Sequence, residues 1–147
     1  MGFSRQETIF VLIVLLSIFS VSFYQLKISE RKTRDAQRKA DVELVGRALD
    51  AYFADYKILP EASVDGEIKS CGYLASQTCP WGQGPMIDIH NVVYLKKLPI
   101  DPQSYNNKKY IYSTNSQRSQ YKICISLEYA GDKDYKKDIQ CNWYVAK

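Results

Sequence analysis

The hydrophobic and polar positions divide the first 60 residues into two segments. No residue from Thr8 to Leu26 is charged, and a helix of that length spans roughly 28 Å, about the thickness of a bilayer's hydrocarbon core. A cleaved secretory signal would have a shorter apolar core followed by a small-residue cleavage site, and residues 21–25 (VSFYQ) provide no such site. The pattern therefore predicts a retained transmembrane helix over residues 3–26.

Residues 27–59 have the pattern of an amphipathic helix, with apolar residues at intervals of three to four. The predicted buried face consists of Ala36, Ala40, Leu44, Ala48 and Tyr52, flanked by Val45, Leu49, Phe53 and Tyr56. The predicted polar face consists of Arg38, Asp41, Arg47, Asp50 and Asp55. Nothing between Leu26 and Ser29 breaks a helix, so we expect the two segments to form one rod of roughly 80 Å. Pro60 is expected to close it.

Residues 60–147 are predicted to form a globular head. Glycine, proline and two cysteines make residues 61–85 loop-like. Strand-type runs follow at residues 109–113, 121–127 and 139–145, with a turn signal at residues 131–134. The expected fold class is α+β: a long N-terminal helix packed on a small antiparallel sheet.

The four cysteines favour disulfides, which form in an oxidising compartment outside the cytoplasm. If the turn at residues 131–134 centres a hairpin, Cys124 and Cys141 lie opposite one another and can bond. Cys71 would then pair locally with Cys79. Zinc is not favoured, because the spacing is not of the C-x2-C type and His90 is the one histidine in the sequence.

The charge distribution disagrees with a location of the head outside the cytoplasm. Net charge is a mild +4, but the basic residues cluster directly after the apolar segment: Lys27, Arg31, Lys32, Arg34, Arg38 and Lys39. Positive charge normally lies on the cytoplasmic side of a membrane helix, which would place the head inside the cell. A longer or atypical basic leader before the segment would remove the conflict with the cysteines.

The sequence gives little support for catalysis or for ligand binding. A nucleophilic triad would depend wholly on His90, which has no glycine elbow beside it, so we expect no enzyme activity. Asp132, Asp134 and Asp138 could bind calcium, but lysines interleave with them and a solvated turn is favoured; no other cofactor is expected. A DNA-binding patch is the less favoured interpretation of several basic and aromatic residues: Lys96, Lys97, Lys108, Lys109, Arg118, Tyr105 and Tyr110.

Gly2 and Phe3, with Glu7 four positions after Phe3 and a long apolar run behind it, resemble the N-terminus of type IV pilins and of type II secretion pseudopilins. Residues 33–60 (TRDAQRKADVELVGRALDAYFADYKILP) resemble the pilin helix and its exit. Residues 94–102 (YLKKLPIDP), followed by residues 110–112, resemble the G-type pseudopilin domain.

The resemblance implies a type IV pilin-like fold and cleavage by a prepilin peptidase between Gly2 and Phe3, leaving residues 1–2 as a residual leader and Phe3 N-methylated. It also implies a homo-oligomeric helical filament, assembled from the cytoplasmic membrane to the cell surface by a platform protein and an assembly ATPase, with the head outside. The alternatives are a pseudopilin of a periplasmic pseudopilus, or an unprocessed single-span protein that displays a small binding domain. The sequence departs from the family in having only Met1 before Gly2 and no proline near Tyr24.

In such a filament, Glu7 of one subunit would pair with the Phe3 ammonium of a neighbour. Removing one partner of a buried pair costs on the order of 3–5 kcal/mol, so the pair would penalise misaligned subunits. Alternatively, Glu7 simply lies near its own helix N-terminus, where a carboxylate is favourable.

Overall fold

A computed structural model of the chain describes residues 4–137 and 141–147. It has an α+β architecture in which one long N-terminal helix packs on small antiparallel sheets. Helix α1 covers Arg5–Tyr56 without interruption, as the two-segment pattern predicts. The helix ends before Pro60: Lys57 adopts a left-handed conformation (φ 57°) and donates its backbone N–H to the Phe53 carbonyl at 2.8 Å.

Within the described residues, eight short strands follow the helix and form three antiparallel sheets. The first sheet contains β1 (Glu61–Ala62), β2 (Ile68–Cys71) and β3 (Gln77–Cys79), and the second contains β4 (Met86–Ile87) and β5 (Val93–Leu95). The third contains β6 (Ile111–Thr114), β7 (Tyr121–Ile125) and β8 (Trp143–Ala146), with β7 in the centre. The segment predicted to be a loop, residues 61–85, therefore carries a three-stranded sheet. Its strands are too short for an alternating pattern to reveal.

The core lies between the second half of α1 and the three sheets. The helix contributes Val42, Val45 and Leu49, all fully buried, and Tyr52 at 8 % exposure. The sheets and connections contribute Ile68, Met86, Leu98, Tyr110, Tyr112, Ile123 and Ile125, each at most 1 % exposed. The Tyr121 hydroxyl packs closely on Gly46 and donates to its carbonyl at 3.3 Å. Glycine fits here because a β-carbon on residue 46 would lie 3.0 Å from the Tyr121 hydroxyl oxygen.

The predicted faces of the helix are partly wrong. Ala48, Tyr52, Val45 and Leu49 are buried as expected, but Ala36, Ala40 and Leu44 are exposed. Arg38, assigned to the polar face, is fully buried. The buried positions 35, 38, 42, 45, 49 and 52 follow alternating steps of three and four, whereas the predicted series used steps of four, which drift around a helix of 3.6 residues per turn.

The structure bonds Cys71 to Cys79 and Cys124 to Cys141, with Cα–Cα distances of 5.3 and 5.2 Å. These are the expected pairs, but the expected hairpin register is wrong. Cys124 lies opposite Tyr144, and Cys141 precedes β8. The connection folds back instead: Asn142 accepts the Leu127 N–H at 2.6 Å and donates to the Leu127 carbonyl at 2.9 Å.

Candidate membrane and assembly interface

The first half of α1 is a long exposed apolar surface. In residues 4–137 and 141–147, α1 is the one helix long and apolar enough to cross a membrane, with a mean hydropathy of 2.4 over its most apolar stretch, none of which is buried. Exposed side chains lie on all sides, Phe10 at 68 % and Phe19 at 70 % among them. The Ser17 and Ser20 hydroxyls donate to carbonyls of their own helix at 2.7 and 2.8 Å. These bonds lower the cost of placing the hydroxyls in an apolar environment.

The N-terminus of this helix is closed by a capping box. The Glu7 carboxylate accepts the Ser4 backbone N–H at 2.7 Å, and the Ser4 hydroxyl accepts the Glu7 backbone N–H at 3.3 Å. Glu7 thus stabilises its own helix N-terminus in the single chain. Its side chain is exposed, so an outside cation can reach it. Gly2 and Phe3, the predicted processing residues, lie outside the described residues.

A cluster of five charged side chains attaches the head to the helix at the point where burial begins. Arg38 is fully buried and donates to both oxygens of Asp101, Nε to Oδ2 at 2.8 Å and Nη2 to Oδ1 at 2.9 Å. Its Nη1 donates to Asp35 at 2.8 Å and to Glu128 at 2.5 Å. Arg34 binds Glu128 through two nitrogens, at 2.9 and 2.6 Å. The two guanidinium groups and three carboxylates therefore join α1 to the connection before β6 and to the loop after β7.

Backbone groups complete this ion cluster. Asp35 accepts the N–H groups of Glu128 and Tyr129 at 2.8–3.0 Å, and Asp101 accepts the Gln103 N–H at 2.7 Å. The hydrogen bond from Arg34, followed by that from Arg38, lowers the pKa of Glu128 to about 2. Despite burial, which by itself lowers it, the pKa of Arg38 is raised by its bonds to Asp101 and Glu128. The two arginines and Glu128 therefore stay ionised at neutral pH.

Asp132 and Asp134, considered above as calcium ligands, pair with a lysine of the helix. The Lys39 ammonium lies 2.9 Å from both oxygens of Asp132 and 3.1 Å from Asp134, and these bonds lower the pKa of Asp132. Asp138, the third candidate ligand, lies outside the described residues. In this structure the two carboxylates bind a lysine and join the loop after β7 to the helix.

Of the residues considered for DNA binding, Tyr110 and Arg118 make contacts within the protein. Lys108 and Lys109 line a groove of about 360 Å³ with Trp81, and Tyr105 is 76 % exposed nearby in sequence. Tyr110, however, is fully buried and donates to Asp41 at 2.7 Å. Arg118 donates to the Leu59 carbonyl at 2.6 Å and so supports the end of the helix.

His90 is an exposed loop residue whose backbone N–H donates to Asp88 Oδ1 at 2.8 Å. The same carboxylate accepts the Tyr56 hydroxyl at 2.7 Å, which raises the pKa of Tyr56 to about 12. The Asp88 contacts therefore close the loop between β4 and β5 against the end of the helix.

The ion cluster as a whole is not apparent from the sequence pattern. A signal was present, since Arg34, Asp35 and Arg38 share one face at spacings of three and four. Their partners Asp101 and Glu128 are distant along the chain, and nothing local indicates them. Comparison with known proteins gives no match among protein-family models, curated proteins or solved structures.

Proposed function

We propose that this chain is a pilin-like structural subunit with the type IV pilin fold. It inserts in the cytoplasmic membrane through residues 8–26, is cut between Gly2 and Phe3, and polymerises through its N-terminal helix into a surface filament. A prepilin peptidase, a membrane platform protein and an assembly ATPase would be its partners. The observation that carries the proposal is the division of α1: its first half is apolar and exposed on all sides, while its second half holds the head.

An apolar surface this large needs either lipid or other helices around it. Lipid tails and leucine side chains are about equally apolar, so exchanging one for the other costs little hydrophobic free energy. A subunit could therefore leave the bilayer for the centre of a helix bundle without losing stabilisation from its apolar half. This supports a subunit that is stored in a membrane and then assembled.

Glu7 would set the register of that assembly. In the single chain its carboxylate caps the helix through Ser4 and is exposed. In a bundle it would be surrounded by apolar side chains, where a carboxylate needs a cation. The Phe3 ammonium of an adjacent subunit, freed by cleavage, would provide it.

Mass spectrometry of the protein extracted from its native cells tests the processing step. The expected N-terminal residue is methylated Phe3. An intact Met1 in protein that forms no polymer would overturn the proposal and leave an unprocessed single-span protein with a small displayed domain.

Replacing Glu7 tests the assembly step separately. Glu7→Ala should leave membrane insertion intact and lower the filament yield at least about tenfold, because the neighbour's ammonium loses its partner. Arg5→Gln, a charge change two residues away, is the matched control. Wild-type filament yield from Glu7→Ala would contradict the role of Glu7 in register.

A periplasmic pseudopilin is the second candidate, favoured by the resemblance of residues 94–102 to the G-type pseudopilin domain. In that segment Asp101 reaches the buried Arg38 and closes the head on the helix. A pseudopilin would support secretion and give no surface polymer in wild-type cells. Imaging of cells with and without the gene, together with assay of secreted protein, separates the two.

A further inference from the structure

We propose that three basic residues just beyond the membrane span bind the phosphate groups of anionic lipids. Arg31, Lys32 and Lys133 are here called the basic collar. Arg31 and Lys32 lie on the first turns of α1 after Leu26, and Lys133 lies on the loop between β7 and β8. The proposal rests on membrane insertion through residues 8–26 and adds a partner to it.

The collar lies at the height of the lipid headgroups. Along the helix axis, Arg31 and Lys32 are roughly 8 and 9 Å beyond Leu26. The headgroup layer occupies about 5–8 Å on each side of the hydrocarbon core, and long basic side chains extend toward it. Lys133 shares a groove with Lys32, so it lies at the edge of the head nearest the span. Phe23 and Tyr24, exposed by 56 and 67 %, stand at the end of the apolar stretch, where aromatic side chains favour the interface.

The carboxylates near the collar are already paired with other cations. Glu30 lies 3.5 Å from Lys27, Glu128 binds both Arg34 and Arg38, and Lys39 holds Asp132 and Asp134. Within residues 4–137 and 141–147, none of the three collar residues has a carboxylate at ion-pair distance. The described part of the collar therefore presents positive charge outside any ion pair to whatever lies beside the end of the span, and Asp132, which shares the groove, is held by Lys39.

A groove between the helix and the loop after β7 provides a place for a headgroup. It encloses about 290 Å³ and is lined by Lys32, Ala36, Lys39, Tyr129, Asp132 and Lys133. The Lys32 ammonium lies 4.7 Å from the centre of the Tyr129 ring. Ammonium groups at its edge would bind phosphate, while the ring and the Ala36 methyl group would contact the apolar part of the lipid. Because the groove lies only a few helical turns beyond the apolar stretch of α1 and Lys32 and Lys133 line it, we infer a lipid phosphate as its occupant and not the carboxylate of a second copy.

The full-length protein, reconstituted in phosphatidylcholine vesicles, tests the collar. Spin-labelled phosphatidylglycerol and spin-labelled phosphatidylcholine report how strongly each lipid associates with the protein. Juxtamembrane basic residues contribute about fivefold each in favour of anionic lipid at low salt. We expect wild type to prefer the anionic label by at least fivefold, with most of the preference lost in 1 M NaCl.

The triple variant Arg31→Gln, Lys32→Gln, Lys133→Gln should bring the ratio of the two association constants close to one. The matched control removes three exposed lysines placed elsewhere on the molecule, Lys57, Lys96 and Lys97, and should keep the wild-type ratio. Circular dichroism establishes that both triple variants are folded. Equal ratios in wild type and the collar variant would overturn the proposal.

The remaining outcomes separate the collar from the proposed function. If wild type shows no lipid preference and the collar variant fails to polymerise, the collar binds a second copy and the lipid proposal is wrong. If alkali extracts the wild-type protein from vesicles, the protein is not inserted in the membrane, and both the proposed insertion and the proposed lipid binding by the collar are wrong. An inserted protein without lipid preference overturns the collar alone.

Discussion

The two halves of helix α1 have the same backbone and opposite surroundings. From Arg5 to about Arg31 the side chains are exposed almost throughout, and hydrogen bonds from polar side chains stay within the helix or with its cap. From Asp35 onward the same helix supplies the core and the ion cluster. The first half therefore adds nothing to the stability of the head, and the second half adds little to the exposed apolar surface. Substitutions in one half should leave the property of the other unchanged.

The largest expected effect is from Arg38→Ala. Removing the guanidinium leaves Asp35, Asp101 and Glu128 with too little positive charge in a buried site, which costs about 3–5 kcal/mol. Denaturant unfolding of the full chain in detergent, followed by near-ultraviolet circular dichroism of the tryptophans, measures it. Arg31→Ala, an exposed arginine two turns earlier, is the control and should change stability by about 0.5 kcal/mol or less. Equal losses in the two variants would mean that the halves are not separate.

A pair of leucine substitutions compares the halves directly. Leu49 is fully buried and Leu16 is 66 % exposed. Leu49→Ala should lower the free energy of unfolding of the head by about 2–5 kcal/mol. Leu16→Ala should leave that free energy unchanged and weaken membrane insertion by a few tenths of a kcal/mol. The same unfolding assay and a membrane-insertion assay measure the two effects. Loss of head stability in Leu16→Ala would contradict the independence of the two halves.

Acid should destabilise the head through Glu128. The pKa of this carboxyl is lowered from 4.5 to about 2 by Arg34 and Arg38, so the folded state binds its proton less readily than the unfolded state. Its contribution is complete above about pH 4.5 and is lost as the pH falls toward 2, by on the order of 2–3 kcal/mol. Unfolding free energies measured between pH 6 and pH 2.5 give the slope.

Glu128→Gln should flatten that slope, while Glu43→Gln, an exposed substitution on the helix, should not. A slope that Glu128→Gln leaves as steep as in wild type would assign the acid sensitivity to other carboxyls. Membrane association of the first half should stay the same over this pH range.

The smallest expected effect is from Ser4→Ala. This substitution removes one side of the capping box and costs about 1 kcal/mol of local helix stability. Hydrogen exchange of the first-turn amides should increase several-fold, whereas unfolding of the head should be unaffected. Thr8→Ala is the control, because its hydroxyl donates to the Ser4 carbonyl without capping an N–H group. Equal exchange in the two variants would contradict the capping role.

The sequence predicted the helix well and its buried face less well. Apolar runs and the absence of breakers are local properties, and so the single rod and its exposed first half could be read directly. Arg38 was placed on the wrong face because periodicity counts a charged residue as exposed. Its burial depends on Asp101 and Glu128, which are 63 and 90 residues away along the chain. Non-local pairing of this kind leaves no periodic signal.

The same reason explains the errors in the head. Strands β1 and β4 have two residues each, too few to show alternation. Their existence depends on cross-strand partners and on the disulfide between β2 and β3. The Cys124–Cys141 pair followed from a symmetric hairpin, while the actual loop is folded by Asn142. Glu7 lies in the first turn of the helix, and its role in assembly stays a prediction.

The unbroken helix also determines how a mechanical pull reaches the head. Its first contacts with the head are at Lys32, against Tyr129, and at Arg34, against Glu128. A pull on the apolar end travels through roughly 40 Å of bare helix before it reaches another part of the protein. The guanidinium–carboxylate bonds of Arg34 and Arg38 then take the load ahead of the hydrophobic core. Mechanical strength under tension should accordingly be set by those few charged contacts.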